Sequence, residues 1–225
     1  MEGTGGRSFS FLFDTKDKLI NAEVTYPKGE SKYPRRTFSI ERNNEYQIAR
    51  VINDFYDTLN KRANTVVYTY EYDNAGKLTS FYVNTNAVDR FMLTFDDNQR
   101  LTKIAYPGGG YETSEFNNKG NLVKYSKKYS NSDVVHSLEY TKYDDKKNVF
   151  NGITEFIFEF HYFVYSANNP LTLTANANDA KQNFINYTYT YNEKDYPVTS
   201  TSVNTSIYPT ISPITQNAAY QYNCK

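Results

Sequence analysis

Residues 68–83 read YTYEYDNAGKLTSFYV, and this stretch decides the fold class. Apolar and polar residues alternate up to Tyr72, a short run of turn formers comes next, and the alternation resumes at Leu78. A three-residue hairpin loop is a type I turn followed by one left-handed residue and closed by a G1 bulge. Asn74-Ala75-Gly76 fits that loop, with Gly76 in the left-handed place, where glycine meets no steric cost. The loop then sets Asp73 against Lys77, and Tyr72 against Leu78 on the same side of the sheet. Directly opposed pairs of this kind stabilise a sheet by roughly 0.2–1 kcal/mol each.

The same unit recurs along the chain. Phe13-Asp14, Ile40-Glu41, Tyr72-Asp73, Phe95-Asp96, Phe116-Asn117, Tyr143-Asp144 and Tyr191-Asn192 each join an apolar residue to an acid or Asn. Six positions after the apolar residue stand Leu19, Tyr46, Leu78, Leu101, Leu122, Val149 and Pro197, almost all large and apolar. The left-handed slot holds Asp17, Asn44, Gly76, Gln99, Gly120, Lys147 and Asp195, mostly residues that tolerate it. Asp14 faces Lys18 and Asp96 faces Arg100 as opposite charges, whereas Glu41 and Glu45 break that rule. The copies start 27, 32, 23, 21, 27 and 48 residues apart. Self-similarity at such a period marks a repeat architecture.

Alternation supports strands on both sides of the turns. Val66, Tyr68, Tyr70 and Tyr72 share one face, and Phe91, Leu93 and Phe95 repeat the pattern against Met92, Thr94 and Asp96. Period two with one polar face marks a half-solvated antiparallel sheet. The polar face also argues against a lipid-facing barrel, whose outer band would be continuously apolar. The expectation is an all-β protein: an antiparallel meander of repeated hairpins forming a curled sheet or partial barrel, with at most one or two short helices. It forms a single domain over residues 1–225, with hairpin turns near 14–18, 41–45, 73–77, 96–100, 117–121, 144–148 and 192–196 and an insertion over 150–183. Residues 46–59 carry apolar side chains at helical spacing, but the copy register favours a strand. Residues 153–165, ITEFIFEFHYFVY, fit both periods and are expected to form a short helix, and Asn168-Asn169-Pro170 to break the chain before a strand at 171–174. Pro197 cannot donate to a ladder, so its strand is expected at an edge or a bulge.

Composition narrows the function classes. The 225 residues carry 25 basic and 25 acidic side chains, so net charge is zero. Nucleic-acid and anionic-membrane partners need a basic footprint that this balance does not supply. Mean hydropathy is −0.74, and no apolar run approaches the roughly 18 residues of a membrane helix. The chain has 23 Tyr, 15 Phe and no Trp; tyrosine suits a sheet with one wet face, because its ring packs while its hydroxyl finds water. Cys224 is the single cysteine, read as a small apolar residue.

The unit at 70–83, YEYDNAGKLTSFYV, resembles the tyrosine-aspartate (YD) repeat of Rhs and teneurin shells. The wider pattern, including YDDKKNVFNGI, NNPLTLT, YTYTYNEKDYPVTS and YQYNCK, is similar to an uncharacterised family of secreted lipoproteins of gut commensal bacteria with a porin-like β-fold. That resemblance implies a curled sheet or partial barrel, export, and a lipid anchor at an N-terminal cysteine that this sequence lacks. It implies an extracytoplasmic place in a Gram-negative bacterium, in the periplasm or anchored to the outer membrane. It assigns no activity and no functional residue.

No catalytic, cofactor-binding or metal residue is nominated from the residues themselves, and no cofactor is expected. His136 and His161 stand 25 residues apart without ligands at metal spacing. Asp96-Asp97 and Asp144-Asp145 are read as turn residues, and Pro107-Gly108-Gly109-Gly110 as a return loop, since no Lys and helix follow as a phosphate cradle requires. No nucleophile elbow is present. The leading expectation is a non-enzymatic cell-envelope binding or scaffold module, with a glycan or another envelope protein as partner. A glycan-binding protein using exposed tyrosines and a carboxylate-dependent hydrolase are the alternatives.

Overall fold

The computed structural model describes residues 7–29, 31–85, 89–148, 150, 166–208 and 210–224. They hold 15 strands, and no helix occurs among them. The chain divides into two compact units, Met1–Val88 with Gln216–Lys225, and Asp89–Thr215.

The first unit contains β1 (Arg7–Phe13), β2 (Leu19–Thr25), β3 (Arg35–Arg42), β4 (Ile48–Tyr56), β5 (Arg62–Tyr72) and β6 (Leu78–Val83), together with all but the first two residues of β15 (Ile214–Cys224). Its strands pair in chain order, and β15 lies beside β1. Phe11, Leu19, Ala22, Val24, Phe38 and Val51 form its buried face. The second unit contains β7 (Arg90–Phe95), β8 (Leu101–Ala105), β9 (Tyr111–Phe116), β10 (Leu122–Lys128), β11 (Val135–Lys147), β12 (Asn168–Ala177), β13 (Ala180–Tyr191) and β14 (Pro197–Ser206), again paired in order. Leu122, Tyr125, Tyr140 and Leu173 form a core cluster there, with Phe116, Leu138, Tyr143, Ile185 and Tyr187 packed against it. Tyr187, Tyr189 and Tyr191 stack along β13 at centroid spacings of 6.2 and 6.1 Å. Two of their hydroxyls reach other strands, Tyr189 donating to the Pro170 carbonyl at 3.1 Å and Tyr191 to Asp144.

The strand order as a whole is that of a closed barrel, running from β1 to β15 and back to β1. This corrects the open sheet or partial barrel expected from the sequence. An up-and-down chain with an odd number of strands returns to its start pointing the same way, so the closing pair must be parallel. It is: Arg7 pairs with Ala218, and Phe13 with Cys224, in a parallel register. Closure removes the edges that an open sheet would leave unpaired.

The turns show why the repeat works. In Asp73–Lys77 the Asp73 amide donates to the Lys77 carbonyl and the Gly76 amide to the Asp73 carbonyl, both at 2.9 Å. Gly76 takes φ +77°, and Tyr72 pairs with Leu78 before a bulge shifts the register. The same loop joins Phe13 to Leu19, Phe95 to Leu101, Phe116 to Leu122 and Tyr191 to Pro197. Thr79 and Thr102, the residues bulged out of register, donate their hydroxyls to the carbonyls of Glu71 and Thr94. Pro197 opens its strand beside a bulge, where its missing donor costs nothing.

Several expectations shift. The second copy turns at Asn43–Gln47, two residues beyond the expected 41–45. Tyr46 takes the left-handed slot at φ +65°, and Arg42 pairs with Ile48. Asn43 has an oxygen for the loop amides at the right distance, which moves the turn; Glu41 pairs across the strands with Arg50 at 3.1 Å instead. A further copy at Asp57–Lys61, with Asn60 at φ +58°, has the same bonds, and splits residues 46–59 into β4 and a turn. The sixth copy makes no turn at 144–148: β11 runs extended through Lys147 and Tyr143 pairs with Pro170. Asn168-Asn169-Pro170 begins β12 instead of breaking the chain, so residues 168–183 of the expected insertion belong to the ladder. The helix expected at 153–165 falls outside the described residues.

Candidate functional site

Four aspartates are occupied by their own turns. One oxygen of Asp73 accepts the amides of Ala75 and Lys77, both at 2.9 Å. Asp14, Asp57 and Asp96 repeat this, and Asn43, Asn117 and Asn192 do it with an amide oxygen. The Lys18 amide holds the Asp14 carboxyl below its ordinary range. Burial pushes Asp96 up, but Arg100, whose guanidinium sits 2.6 Å from the carboxylate, outweighs it and the net shift is downward.

In the second unit, Asp144 reaches away from its own loop. One oxygen accepts the amides of Asn169 at 3.0 Å and Lys146 at 3.1 Å. The other accepts the Tyr191 hydroxyl and, at 3.1 Å, the Asn169 side-chain amide. Burial, then the bond to Asp144, raises the Tyr191 phenol. Tyr143 donates to the Leu122 carbonyl, and burial pushes its hydroxyl up to about 12. Lys146 bonds Asp195 at 3.0 Å. This network links the ends of β10, β11, β12 and β13, and each group in it neutralises or saturates another.

Glu112, on β9, is buried. Its carboxylate accepts the Tyr106 hydroxyl and lies 3.0 Å from the Lys127 ammonium. Lys127 in turn sits over the Tyr106 and Tyr129 rings at 5.4 and 4.9 Å. Outward-facing positions on β13, Asn186, Thr188 and Thr190, are exposed and polar, as the alternation predicts.

In the first unit the buried face carries two polar side chains. Pairing places Val24 opposite Arg36, Arg36 opposite Phe55, and Phe38 opposite Asn53, so all five side chains lie on one face. The Arg36 guanidinium lies over the Phe55 ring at 4.5 Å and the Phe38 ring at 5.2 Å, and Tyr33 meets Phe55 edge-on at 5.3 Å. Arg36 donates to Asn53 Oδ1 at 3.4 Å and to the Tyr26 hydroxyl at 3.5 Å. Asn53 is 0% exposed, yet its Nδ2 has no hydrogen-bond acceptor among the described residues. A buried donor without a partner costs about 1–3 kcal/mol. Arg36 and Asn53 thus form a polar island within an apolar, aromatic-framed face that is closed to solvent.

Sequence reading missed Arg36, Asn53 and Glu112. For two of them the signal was a polar residue in an apolar row: Asn53 between Val51 and Phe55, and Arg36 ahead of Phe38; Glu112, whose row continues with Ser114, gave no such signal. Among the residues it weighed, His136 is exposed on β11 with its ring against Tyr129, and His161 lies outside the described residues. Cys224 ends β15 opposite Phe13. Pro107–Gly110 closes the β8–β9 hairpin, the Tyr106 amide donating to Gly110 at 2.8 Å. Among the described residues no group of three or more His, Cys, Asp or Glu side chains could hold a metal ion, and no helix is long and apolar enough to cross a membrane.

Among solved structures, the chain is similar to a porin-like protein from Bacteroides uniformis, with a TM-score of 0.57 at 13% identity over 92% of this chain and 87% of that one. A porin-like protein from Bacteroides vulgatus matches with a TM-score of 0.39 at 13% identity over 94% of this chain and 92% of that one. The Tc holotoxin pore of Photorhabdus luminescens gives 0.36 at 12% identity, over 83% of this chain and 9% of that one. The first likeness extends to the fold alone, and the two lower scores carry no argument. No family model and no curated protein matches the chain.

Proposed function

We propose that residues 1–225 form one non-enzymatic module of the cell envelope that binds a partner through the Arg36–Asn53 face. The observation that carries this reading is the Asn53 amide, buried with an unmet donor beside a guanidinium and aromatic rings. Four acids support it from the other side, since Asp73, Asp96, Glu112 and Asp144 are engaged by amides, phenols and cations of the fold. The porin-like likeness and the resemblance to exported commensal lipoproteins support an extracytoplasmic place, in the periplasm or on the outer membrane of a Gram-negative bacterium.

The finer reading is glycan recognition. Sugars offer hydroxyl acceptors on their edges and C–H faces that stack on rings, and exposed tyrosines such as Tyr46 in the first unit and Tyr129 in the second are rings of that kind. A glycan array probed with the folded protein is expected to give hits that Asn53→Ala weakens. An array without hits sinks the glycan version. Turnover of chromogenic glycosides that disappears in Glu112→Gln would overturn the non-enzymatic reading in favour of a carboxylate hydrolase.

A further inference from the structure

The second unit carries a loop that holds apolar side chains outward. Between β14 and β15, Ile207, Tyr208 and Ile211 are 42%, 54% and 51% exposed, and Ile214, which opens β15, is 56% exposed. Phe184 on β13 adds a ring at 41%, and it pairs with Thr205 just ahead of the loop. Backbone bonds hold the described residues in place. The Ile207 amide bonds the Gln182 carbonyl at 2.9 Å, and the Ile211 amide the Tyr208 carbonyl at 3.0 Å. The Tyr208 amide bonds the Ser206 hydroxyl at 3.1 Å. Single exposed apolar residues are ordinary on a protein surface, but a cluster held outward marks a contact.

Charge indicates what that contact is. From Tyr196 to Cys224 the sequence has no Asp, Glu, Lys or Arg, in a chain where those residues make up 22%. The cation beside the patch is Lys181, its ammonium 5.9 Å from the Phe184 ring. Aliphatic tips, a Tyr and a Phe at the margin, and a lysine that can snorkel toward phosphate match the make-up of a bilayer interface. Protein interfaces instead favour Arg and disfavour Lys.

We propose that Ile207, Tyr208, Ile211 and Ile214, with Phe184 and Lys181, seat in the headgroup region of a phospholipid bilayer, with the isoleucines reaching the acyl boundary. This goes beyond the binding reading and does not depend on it, since a protein can dock on a membrane whatever its other partner.

The chain has no tryptophan, so Tyr208→Trp installs a single reporter. Phosphatidylethanolamine–phosphatidylglycerol vesicles are expected to shift its emission to the blue and to let brominated lipids quench it. A second Tyr208→Trp protein carrying Ile211→Asp should partition at least about tenfold less, given the cost of placing a carboxylate at that depth, while its circular dichroism stays that of the parent. Emission unmoved by vesicles in a folded Tyr208→Trp protein overturns the proposal. So does a blue shift that needs only higher protein concentration, which would assign the patch to a second copy of the chain.

Discussion

Tyr72-Asp73 and Tyr143-Asp144 open with the same two letters and end in different structures. Asp73 turns its carboxylate back on its own loop, and the chain reverses within five residues. Asp144 keeps its strand extended and finds Asn169 and Tyr191 in the neighbouring strands. The downstream side chains decide between the two outcomes. The third copy has Gly76 in the left-handed slot, where the sixth has Lys147, for which that conformation costs roughly 1–2 kcal/mol. Gln99 takes the slot at φ +60°, but there Arg100 clamps Asp96 from the fourth position on; the corresponding place after Asp144 is Asn148. The motif thus specifies a carboxylate in search of amides, and the residues after it specify which amides are found.

The sharpest break of this comparison is an Asp→Asn exchange made in both copies. Asp73 uses one oxygen, and Asn43, Asn117 and Asn192 already do its work with an amide. Asp73→Asn should therefore change stability in urea by less than about 0.5 kcal/mol. Asp144 accepts through both oxygens, so Asn would turn an NH2 group against the donors of Tyr191 and Asn169. That exchange should cost about 2–3 kcal/mol, and equal effects at the two sites would dissolve the distinction.

Alkali should sharpen it next. Tyr143 is raised from 10.0 to about 12 by burial, so the folded state keeps its proton longer than the unfolded chain does. The corresponding stability is full below pH 10 and lost as pH rises through about 12, a loss of about 3 kcal/mol at most. Stability curves of the parent and Tyr143→Phe should differ in slope over that window, and parallel curves would show that the phenol is not the cause.

Backbone changes should have a smaller effect. Gly76→Ala adds a methyl at φ +77° and should cost about 1 kcal/mol. Gln99→Gly relieves the same strain and should gain up to about 1 kcal/mol, less what glycine's freedom in the unfolded state removes. Melting temperatures moving in opposite directions would confirm the slot. The smallest effect concerns acid. Asp96 lies below its ordinary 3.8 in the fold, so its contribution is present above pH 3.8 and lost as pH falls through the lowered value. Asp96→Asn should flatten the stability curve in that range, which an acid titration followed by circular dichroism will detect.

Much of the fold was legible because the information is local. Tyr72 with Leu78, Phe95 with Leu101 and Phe116 with Leu122 meet as the loop chemistry requires, since a three-residue loop fixes its own register. Closure was not legible: it depends on Arg7 meeting Ala218, and nothing near either residue encodes the other. Asp144 failed for the same reason, because its donors lie 25 and 47 residues further along. The Arg36–Asn53 face was visible only as an interruption of an apolar row, and its meaning came from the rings placed around it by pairing.

The parallel seam between β1 and β15 has a consequence for timing. A ribosome delivers Arg7–Phe13 well ahead of Ala218–Cys224, so that strand waits with one flank unmated. Until its mate emerges, that flank is a sticky template for any passing extended segment, and the first unit stays unfinished however fast its hairpins snap shut. A chain stopped short of β15 would keep every hairpin and still be expected to clump.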